Sequence, residues 1–155
     1  MRHSSAILTV LAIGLATPAF AQDAASAAKQ ACDNFNALGA SGDAAKLVNS
    51  FYTENAVFVG PMPVAGILIG RKAIEKNYAE FFQTFKSMSG NCQNAMALND
   101  STVVVSGTWM GTPKDPSGSP IKGGFGMTFV KEGEKWLAAM DSWNLDLPGA
   151  AAKKE

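Results

Sequence analysis

Histidine is almost absent from this chain of 155 residues, because its single copy is His3. A chain without another histidine cannot build a Ser-His-Asp or Cys-His nucleophile system or a histidine-ligated metal site. Cysteine is nearly as scarce, since only Cys32 and Cys92 are present. The sequence therefore predicts no metal site, and no motif in it indicates a cofactor.

An excess of positive charge is also missing. Lys and Arg number 13 and Asp and Glu number 13, and no stretch of the chain is a basic block. Proteins that bind nucleic acid need a positive surface for the phosphates. We therefore expect no nucleic-acid partner.

Long apolar runs are missing apart from one near the start. The run "AILTVLAIGLA" comes after the basic start "MRH", and Ala19-Phe20-Ala21, shortly after the run, has the small-x-small pattern of a cleavage site. The run is too short to cross a bilayer, so the pattern predicts a secretory signal peptide over residues 1–21, cleaved after Ala21. The remaining protein is expected to be periplasmic or secreted, with no membrane span.

The rest of the chain has the length and patterning of one domain, predicted over residues 22–147 and followed by a flexible tail at 148–155. Apolar residues at helical spacing predict a helix over 23–38, a second one capped by Asp43, and a third over 71–86. A strand at "NAVFV" lies between the second and third helices, and at least four strand-like segments follow the third. Runs of helices followed by runs of strands indicate an α+β fold, with the helices on one face of a curved antiparallel sheet.

The two cysteines have two interpretations. In an oxidising compartment, Cys32 and Cys92 would form a disulfide that ties the first helix to the first long strand. The alternative is a reactive thiol.

Three segments carry a family resemblance: "NALGASGDAAKLVNSFYTENAVFVGP", "GRKAIEKNYAEFF" and "GMTFVKEGEKWLAAMDSWN". They resemble the nuclear transport factor 2-like superfamily, in particular its SnoaL-like, ketosteroid isomerase-like branch of unassigned function. The resemblance extends over residues 28–144. It implies a cone, in which a strongly bent sheet wraps about three helices, an apolar pocket opens at one end, and homodimers form through the convex face of the sheet.

The resemblance can be tested against the isomerase chemistry, which uses an Asp base together with a Tyr and a protonated Asp that stabilise the enolate oxygen. The corresponding positions in this chain are Gly60 for the base, Phe35 for the tyrosine and Phe125 for the second aspartate. None of these residues can ionise. The resemblance therefore does not carry ketosteroid isomerase activity over to this chain.

The resemblance and the apolar patterning together place a pocket for a small lipophilic molecule. Its predicted lining is Phe35, Tyr52, Phe58, Gly60, Met62, Tyr78, Phe82, Trp109, Phe125, Met127 and Trp143. The stretch "VFVGPMPVAG", which contains Gly60 and Met62, is expected at the pocket mouth, either as a lid over a cavity or as a plug that closes it.

Asp141 is the candidate catalytic residue. Alternation along "WLAAMDSWNL" places Asp141 and Trp143 on one face and Ala138 and Met140 on the other. If the first face points into the cone, Asp141 is a desolvated carboxyl whose pKa rises and suits acid–base chemistry. The alternative is a structural carboxylate that accepts hydrogen bonds from a helix end or a backbone amide.

Three other polar residues have two interpretations each. Tyr52 and Tyr78, both predicted on apolar helix faces, either donate to a ligand or fill the core. Arg71, at the start of the third helix, either holds an acidic ligand or pairs with Glu75 one turn on.

Three functions fit the sequence. The first is an exported protein that binds a small lipophilic molecule in an apolar pocket. The second is a SnoaL-type isomerase, cyclase or dehydratase that uses Asp141 and a tyrosine. The third is a dimeric protein-interaction module whose outward face includes Met140, Ala138 and Val130.

Overall fold

The computed structural model describes residues 19–146 of the chain, and their side chains from residue 24 onward. Its elements follow in the order α1 (Ala19–Ser41), α2 (Ala44–Phe51), β1 (Tyr52–Val59), β2 (Ile67–Ile69), α3 (Arg71–Thr84), β3 (Phe85–Asn99), β4 (Thr102–Pro113), β5 (Ile121–Glu132) and β6 (Lys135–Trp143). The predicted α+β class with N-terminal helices is confirmed. Most of the predicted signal segment and the whole predicted tail lie outside the described residues.

Helix α2 begins where the sequence predicts. The Asp43 carboxylate accepts a hydrogen bond from the Lys46 amide at 2.9 Å, which satisfies one of the free N–H groups of the first turn. Leu47, Val48 and Phe51 are buried on one side of the helix. Tyr52, which the prediction placed on this helix face, is instead the first residue of β1.

Helix α3 is shorter than its predicted span of 71–86. It begins after Gly70, whose φ of 82° favours a residue without a Cβ, and it ends at Thr84. Phe85 has the apolar spacing of the helix, but its backbone is extended and it starts β3. Phe85 lies one residue past the end of the helix and still keeps the helical spacing of the apolar residues, because its ring packs on Phe81 with ring centroids 4.6 Å apart.

The six strands of residues 19–146 form one open sheet in the order β2-β1-β6-β5-β4-β3. All neighbours pair antiparallel except β1 and β6, which are parallel, so the sheet is mixed rather than wholly antiparallel. The parallel pair places the last strand of the chain beside the first. Its register sets Phe58 opposite Asp141, 83 positions later in the sequence.

Helix α1 lies along β3 and is fixed to it at two points. The Cys32–Cys92 disulfide is present, which is the first of the two interpretations of the cysteines. The Asn36 amide donates to the Gly90 carbonyl at 3.0 Å and accepts from the Gly90 N–H at 2.7 Å. A disulfide that closes a loop of about 60 residues contributes about 4 kcal/mol in the chain-entropy account, so it is a major constraint on this packing.

The core fills the concave side of the sheet, between the strands and the three described helices. Its largest fully buried side chains include Phe51, Tyr52 and Phe129. Over the described part of the chain, no helix combines the length and the apolar character needed to cross a membrane.

Candidate functional site

The last strand directs Asp141 into the concave side of the sheet. Asp141 pairs in register with Phe58 of β1 and Met127 of β5, and only 2% of its surface is exposed. Met140 points to the convex side and is 45% exposed. Of the two faces that alternation allows for this strand, the one that carries Asp141 and Trp143 therefore points inward.

The alternation does not extend along the whole strand. The register shifts between Thr128 and Phe129 of β5, so that Phe129 pairs with Ala138 and Thr128 pairs with Met140. Ala139 is the extra residue of this bulge. The prediction that Ala138 faces outward is therefore wrong, since Ala138 is completely buried.

Two tyrosines connect to Asp141 in a buried hydrogen-bonded chain. The Tyr52 hydroxyl donates to Asp141 Oδ2 at 2.5 Å, and the hydroxyls of Tyr52 and Tyr78 lie 2.8 Å apart. Each hydroxyl has one proton, so when Tyr52 donates to the carboxylate, Tyr78 must be the donor to Tyr52. The chain of donors therefore runs from α3 through β1 to β6.

Arg71 fixes the position of Tyr52. Its Nε and Nη2 donate to the Tyr52 carbonyl at 2.9 and 2.7 Å, and its Nη1 lies 3.2 Å from Glu54 Oε2. The predicted pair with Glu75 is therefore wrong, because the guanidinium crosses to the adjoining strand. Arg71 joins the start of α3 to the start of β1, which are the two elements that carry the tyrosines.

The buried position changes the acidity of all three groups. Desolvation raises the pKa of Asp141 to about 7, although the hydrogen bond from Tyr52 acts in the opposite direction. Desolvation and the nearby Asp141 charge raise the pKa of both Tyr52 and Tyr78 well above that of a free tyrosine. Near neutral pH the carboxyl can therefore exist in both protonation states, while both phenols stay protonated.

A pocket lies beside Asp141. Its cavity volume is about 50 Å³, and about 610 Å³ of space lies within the pocket when the part open to solvent is counted. Since one water needs roughly 10–15 Å³, the cavity can hold a few water-sized groups. Among the described residues, Asp141 and Tyr78 are the titratable side chains of a wall that is otherwise almost entirely apolar. The wall is formed by Ala31, Cys32, Phe35, Phe51, Phe58, Asn77, Tyr78, Phe81, Met88, Gly90, Cys92, Trp109, Phe125, Met127, Phe129, Asp141 and Trp143.

Seven of the eleven predicted pocket residues line this cavity: Phe35, Phe58, Tyr78, Trp109, Phe125, Met127 and Trp143. Tyr52 lies behind Asp141, and Phe82 stacks on Tyr78 with ring centroids 6.2 Å apart. Gly60 lies against Trp143, and a Cβ at this position would come within 2.7 Å of the indole ring. Met62 is 79% exposed and does not line the cavity.

Several wall residues were not among those predicted. Phe51, Phe81, Met88 and Phe129 come from four different elements, and their apolar spacing marks them as core without distinguishing wall from filler. The disulfide is also part of the wall. The position of Cys32 near Phe35 on one helix face was the signal that could have placed it there.

Two residues of the cavity wall each have one buried polar atom without a hydrogen-bond partner among the described residues: Asp141 Oδ1 and Trp143 Nε1. Leaving a buried donor or acceptor unpaired costs about 1–3 kcal/mol, and more for a charged group. The neighbouring Trp109 shows the usual solution, since its Nε1 donates to the Asn144 carbonyl at 3.0 Å. The arrangement therefore leaves one acceptor and one donor unpaired on two residues of the cavity wall.

Residues 32–139 match the family model of the SnoaL-like domain, which is more than half of the chain. This chain belongs to the SnoaL-like domain family. No curated protein matches the sequence. The matched residues include Tyr52, Tyr78 and most of the sheet, and the match ends two residues before Asp141.

Solved structures share the fold of this SnoaL-like protein. A ketosteroid isomerase-like protein from Erwinia carotovora atroseptica has a TM-score of 0.66 and 16% identity, covering 79% of this chain and 96% of the other. A protein assigned as a calcium/calmodulin dependent protein kinase II association domain from Xanthomonas campestris has a TM-score of 0.64 and 23% identity, covering 76% and 83%. A protein assigned as a scytalone dehydratase from Novosphingobium aromaticivorans has a TM-score of 0.65 and 13% identity, covering 79% and 84%. At these identities the likeness establishes the fold alone.

Proposed function

We propose that this SnoaL-like protein binds a small, mostly apolar molecule in the cavity and that Asp141 transfers a proton to or from it. The observation that carries the proposal is that the two carboxyl oxygens of Asp141 lie in different environments. One oxygen accepts a hydrogen bond from Tyr52, and the other is buried without a partner on a residue that lines an apolar cavity. A structural carboxylate would use its second oxygen on a backbone amide or a helix end, and Asp141 does neither.

The acidity of Asp141 supports the same role. General acid–base catalysis is most efficient when the pKa of the group lies near the working pH. Desolvation raises the pKa of Asp141 to about 7, so near neutral pH the free oxygen can either accept a proton or release one. The low dielectric of the apolar wall strengthens any interaction between the carboxylate and a charge that develops on the ligand.

The tyrosines have a supporting role in this proposal. Tyr52 does not line the cavity, so it positions the carboxyl and stabilises its charge from behind. Tyr78 does line the cavity and donates to Tyr52 when Asp141 is ionised. The names of two structural relatives, ketosteroid isomerase-like and scytalone dehydratase, are compatible with proton-transfer chemistry in this fold.

The proposal predicts exchange of acidic C–H protons in a small apolar ketone. We expect the wild-type protein to accelerate the exchange of the α-protons of 2-indanone into deuterated water, measured by proton NMR. The rate should rise with pH and level off above about pH 7, because the ionised carboxylate is the base. Asp141→Asn should lower the protein-dependent rate by about 100-fold or more.

Asp100→Asn is the matched control, because Asp100 is an exposed aspartate of the β3–β4 turn. It should leave the exchange rate unchanged. Binding of 2-indanone without acceleration of exchange would overturn the acid–base role and favour a protein that only binds its ligand.

We also infer that two copies associate through the convex face of the sheet. One row of residues crosses all six strands in direct register on this face: Ile69, Val57, Met140, Thr128, Val104 and Met96. The row has no charged member, and the small residues Ser142, Gly126 and Ser106 lie in register beside it. A row of uncharged, mostly apolar side chains beside a row of small residues can pack against a second copy of itself, which suits a two-fold contact between identical faces.

A homodimer of this kind should be sensitive to charge at the centre of the row. Met140→Glu is expected to weaken the dimer by at least about tenfold, because two like charges would meet near the two-fold axis. Met62→Glu places the same charge on an exposed side chain of the β1–β2 connection and should leave the dimer intact. Light scattering after size exclusion measures both, and a dimer that persists in Met140→Glu would place the contact elsewhere.

Export from the cytoplasm completes the proposal. The sequence pattern of residues 1–21 supports it, and a disulfide between Cys32 and Cys92 is compatible with an extracellular protein.

A further inference from the structure

The disulfide between α1 and β3 lies in the wall between two spaces. On the inner side, Cys32 and Cys92 line the apolar cavity, and Gly90 lines it with them. On the outer side, the same three residues line a groove whose other walls include the exposed Asn91 and Gln93. Both cysteines are half-buried. A thiol in solution can therefore reach the disulfide from the outer groove, and the disulfide separates that groove from the cavity.

The first half of α1 has few other contacts that hold it on the sheet. Over residues 24–31 its buried side chains are four alanines: Ala24, Ala27, Ala28 and Ala31. Each alanine buries a single methyl group, whereas the second half of the helix buries Phe35 and Leu38. Open grooves flank the first half on two sides, one toward β3 and one toward Trp136 of β6. The disulfide is therefore the main attachment of this half.

A second attachment lies beyond the disulfide. The Asn36 side chain exchanges two hydrogen bonds with the backbone of Gly90, four residues after Cys32 on the helix. Together with Phe35 and Leu38, it holds the second half of α1 on the sheet whether or not the disulfide is intact. Helices shorter than about 12–15 residues are marginal on their own in water, so a first half without the disulfide detaches or frays.

We propose that the Cys32–Cys92 disulfide closes one side of the apolar cavity and that reduction by a dithiol, acting from the outer groove, opens it. Release of the first half of α1 from β3 creates a second mouth beside Ala31 and Gly90, which both line the cavity. The inference rests on the proposed function only in taking the cavity as a ligand site, and it does not depend on proton transfer by Asp141.

The reaction is thiol–disulfide exchange, and one hydrogen bond determines its direction. The backbone N–H of Cys92 donates to Cys32 Sγ at 3.1 Å, so it stabilises negative charge that develops on that sulfur. A thiolate of the dithiol therefore attacks Cys92 Sγ and forms a mixed disulfide, and the electron pair of the broken S–S bond leaves with Cys32 Sγ. The second thiolate of the dithiol then attacks its own sulfur in the mixed disulfide and releases Cys92. Two electrons and two protons pass to the cysteines, and the dithiol ends as a disulfide.

Hydrogen exchange of the backbone amides tests the opening without any ligand. In dithiothreitol, the amides of residues 25–34 should exchange at least about tenfold faster than in the oxidised protein, while those of residues 37–41 and of β5 keep their protection. Oxidised dithiothreitol is the matched control and should change nothing. The double variant Cys32→Ala/Cys92→Ala should exchange rapidly at residues 25–34 in both buffers.

Two results of this experiment would overturn the proposal. Unchanged exchange at residues 25–34 after reduction would show that packing alone holds the helix. Loss of protection across β4 and β5 as well would show that the disulfide supports the whole fold rather than one side of the cavity. Reduced wild-type protein gives both readings even if the double variant folds poorly.

Stopped-flow fluorescence measures access to the cavity. 1-Aminoanthracene is flat, uncharged and mostly apolar, and its emission rises in apolar surroundings. We expect it to associate at least about tenfold faster with the reduced protein than with the oxidised one. Equal rates, or no binding in either state, would overturn the second mouth. Faster entry without any proton exchange in 2-indanone would overturn the acid–base role of Asp141 and leave this inference standing.

Peptide mapping identifies the sulfur that is attacked. After brief exposure to a limiting amount of glutathione and quenching in acid, the mixed disulfide should lie mainly on Cys92. A mixed disulfide mainly on Cys32 would overturn the assignment of Cys32 as the leaving sulfur.

Discussion

Wild-type protein should lose stability as the pH rises from about 4 to about 7, and Asp141→Asn should remove this loss. The folded protein holds the Asp141 proton with a pKa of about 7, whereas the unfolded chain releases it near the ordinary value of 3.8. Between these values the folded state binds more protons than the unfolded state, so the free energy of unfolding falls as the pH rises. The full effect is up to about 4 kcal/mol, reached above pH 7.

Asn has nearly the same shape as Asp and does not titrate. Asp141→Asn is therefore expected to match the wild type near pH 4 and to exceed its stability by up to about 4 kcal/mol at pH 8. The titratable groups that face Asp141 are Tyr52 and Tyr78, and both have a pKa raised well above the ordinary value, so neither contributes in this window.

Urea unfolding at several pH values measures the difference. Asp100→Asn serves as the surface control and should retain the wild-type slope between pH 4 and pH 7. If Asp141→Asn also retained that slope, Asp141 would not be the group that titrates, and the case for its acid–base role would weaken with it.

Tyr52→Phe should raise the pKa of Asp141 further above about 7. The Tyr52 hydroxyl donates to the carboxylate at 2.5 Å and thereby stabilises its ionised form. A hydrogen bond to a charged group contributes about 1.5–3 kcal/mol, which corresponds to a shift of roughly one to two pH units. The variant should therefore lose about that much stability at pH 8 and less at pH 5, where the carboxyl is protonated.

Tyr78→Phe is the matched control for this change. It removes an equally buried phenol from the same chain of hydroxyls but leaves the contact between Tyr52 and Asp141 in place. Following the carboxyl carbon of Asp141 by NMR against pH should give a large upward shift in Tyr52→Phe and a smaller one in Tyr78→Phe. Equal shifts in the two variants would contradict the direct role of Tyr52.

The sequence predicts the fold class well because its strongest signals are local. The Asp43 cap, the apolar stripe of α3 and the two cysteines each depend on a short stretch of chain or on simple counting, and each agrees with the structure. The apolar pattern and the family resemblance together name most of the aromatic residues that line the cavity. Helix ends do not follow from apolar spacing alone, as Phe85 shows, because a residue can keep helical spacing while its backbone is extended.

The candidate site depends on contacts that no local pattern contains. Asp141 meets Tyr52 because β6 enters the sheet beside β1 in a parallel pair, and the two residues are 89 positions apart. Tyr52 was predicted on a helix because its spacing continues that of α2. The bulge at Ala139 reversed the expected direction of Ala138, and nothing in the local sequence marks it.

The packing of α1 along β3 has a further consequence for the behaviour of the protein at high concentration. β3 is one outer strand of the sheet and the longest, with 15 residues, and Asn36 and the disulfide hold a helix against it. The opposite outer strand, β2, has only three residues. Free strand edges are templates for uncontrolled polymerisation, and natural proteins cover or shorten them. Reduction of the Cys32–Cys92 bond would loosen that cover, which makes the oxidised form the one protected against fibrous aggregation.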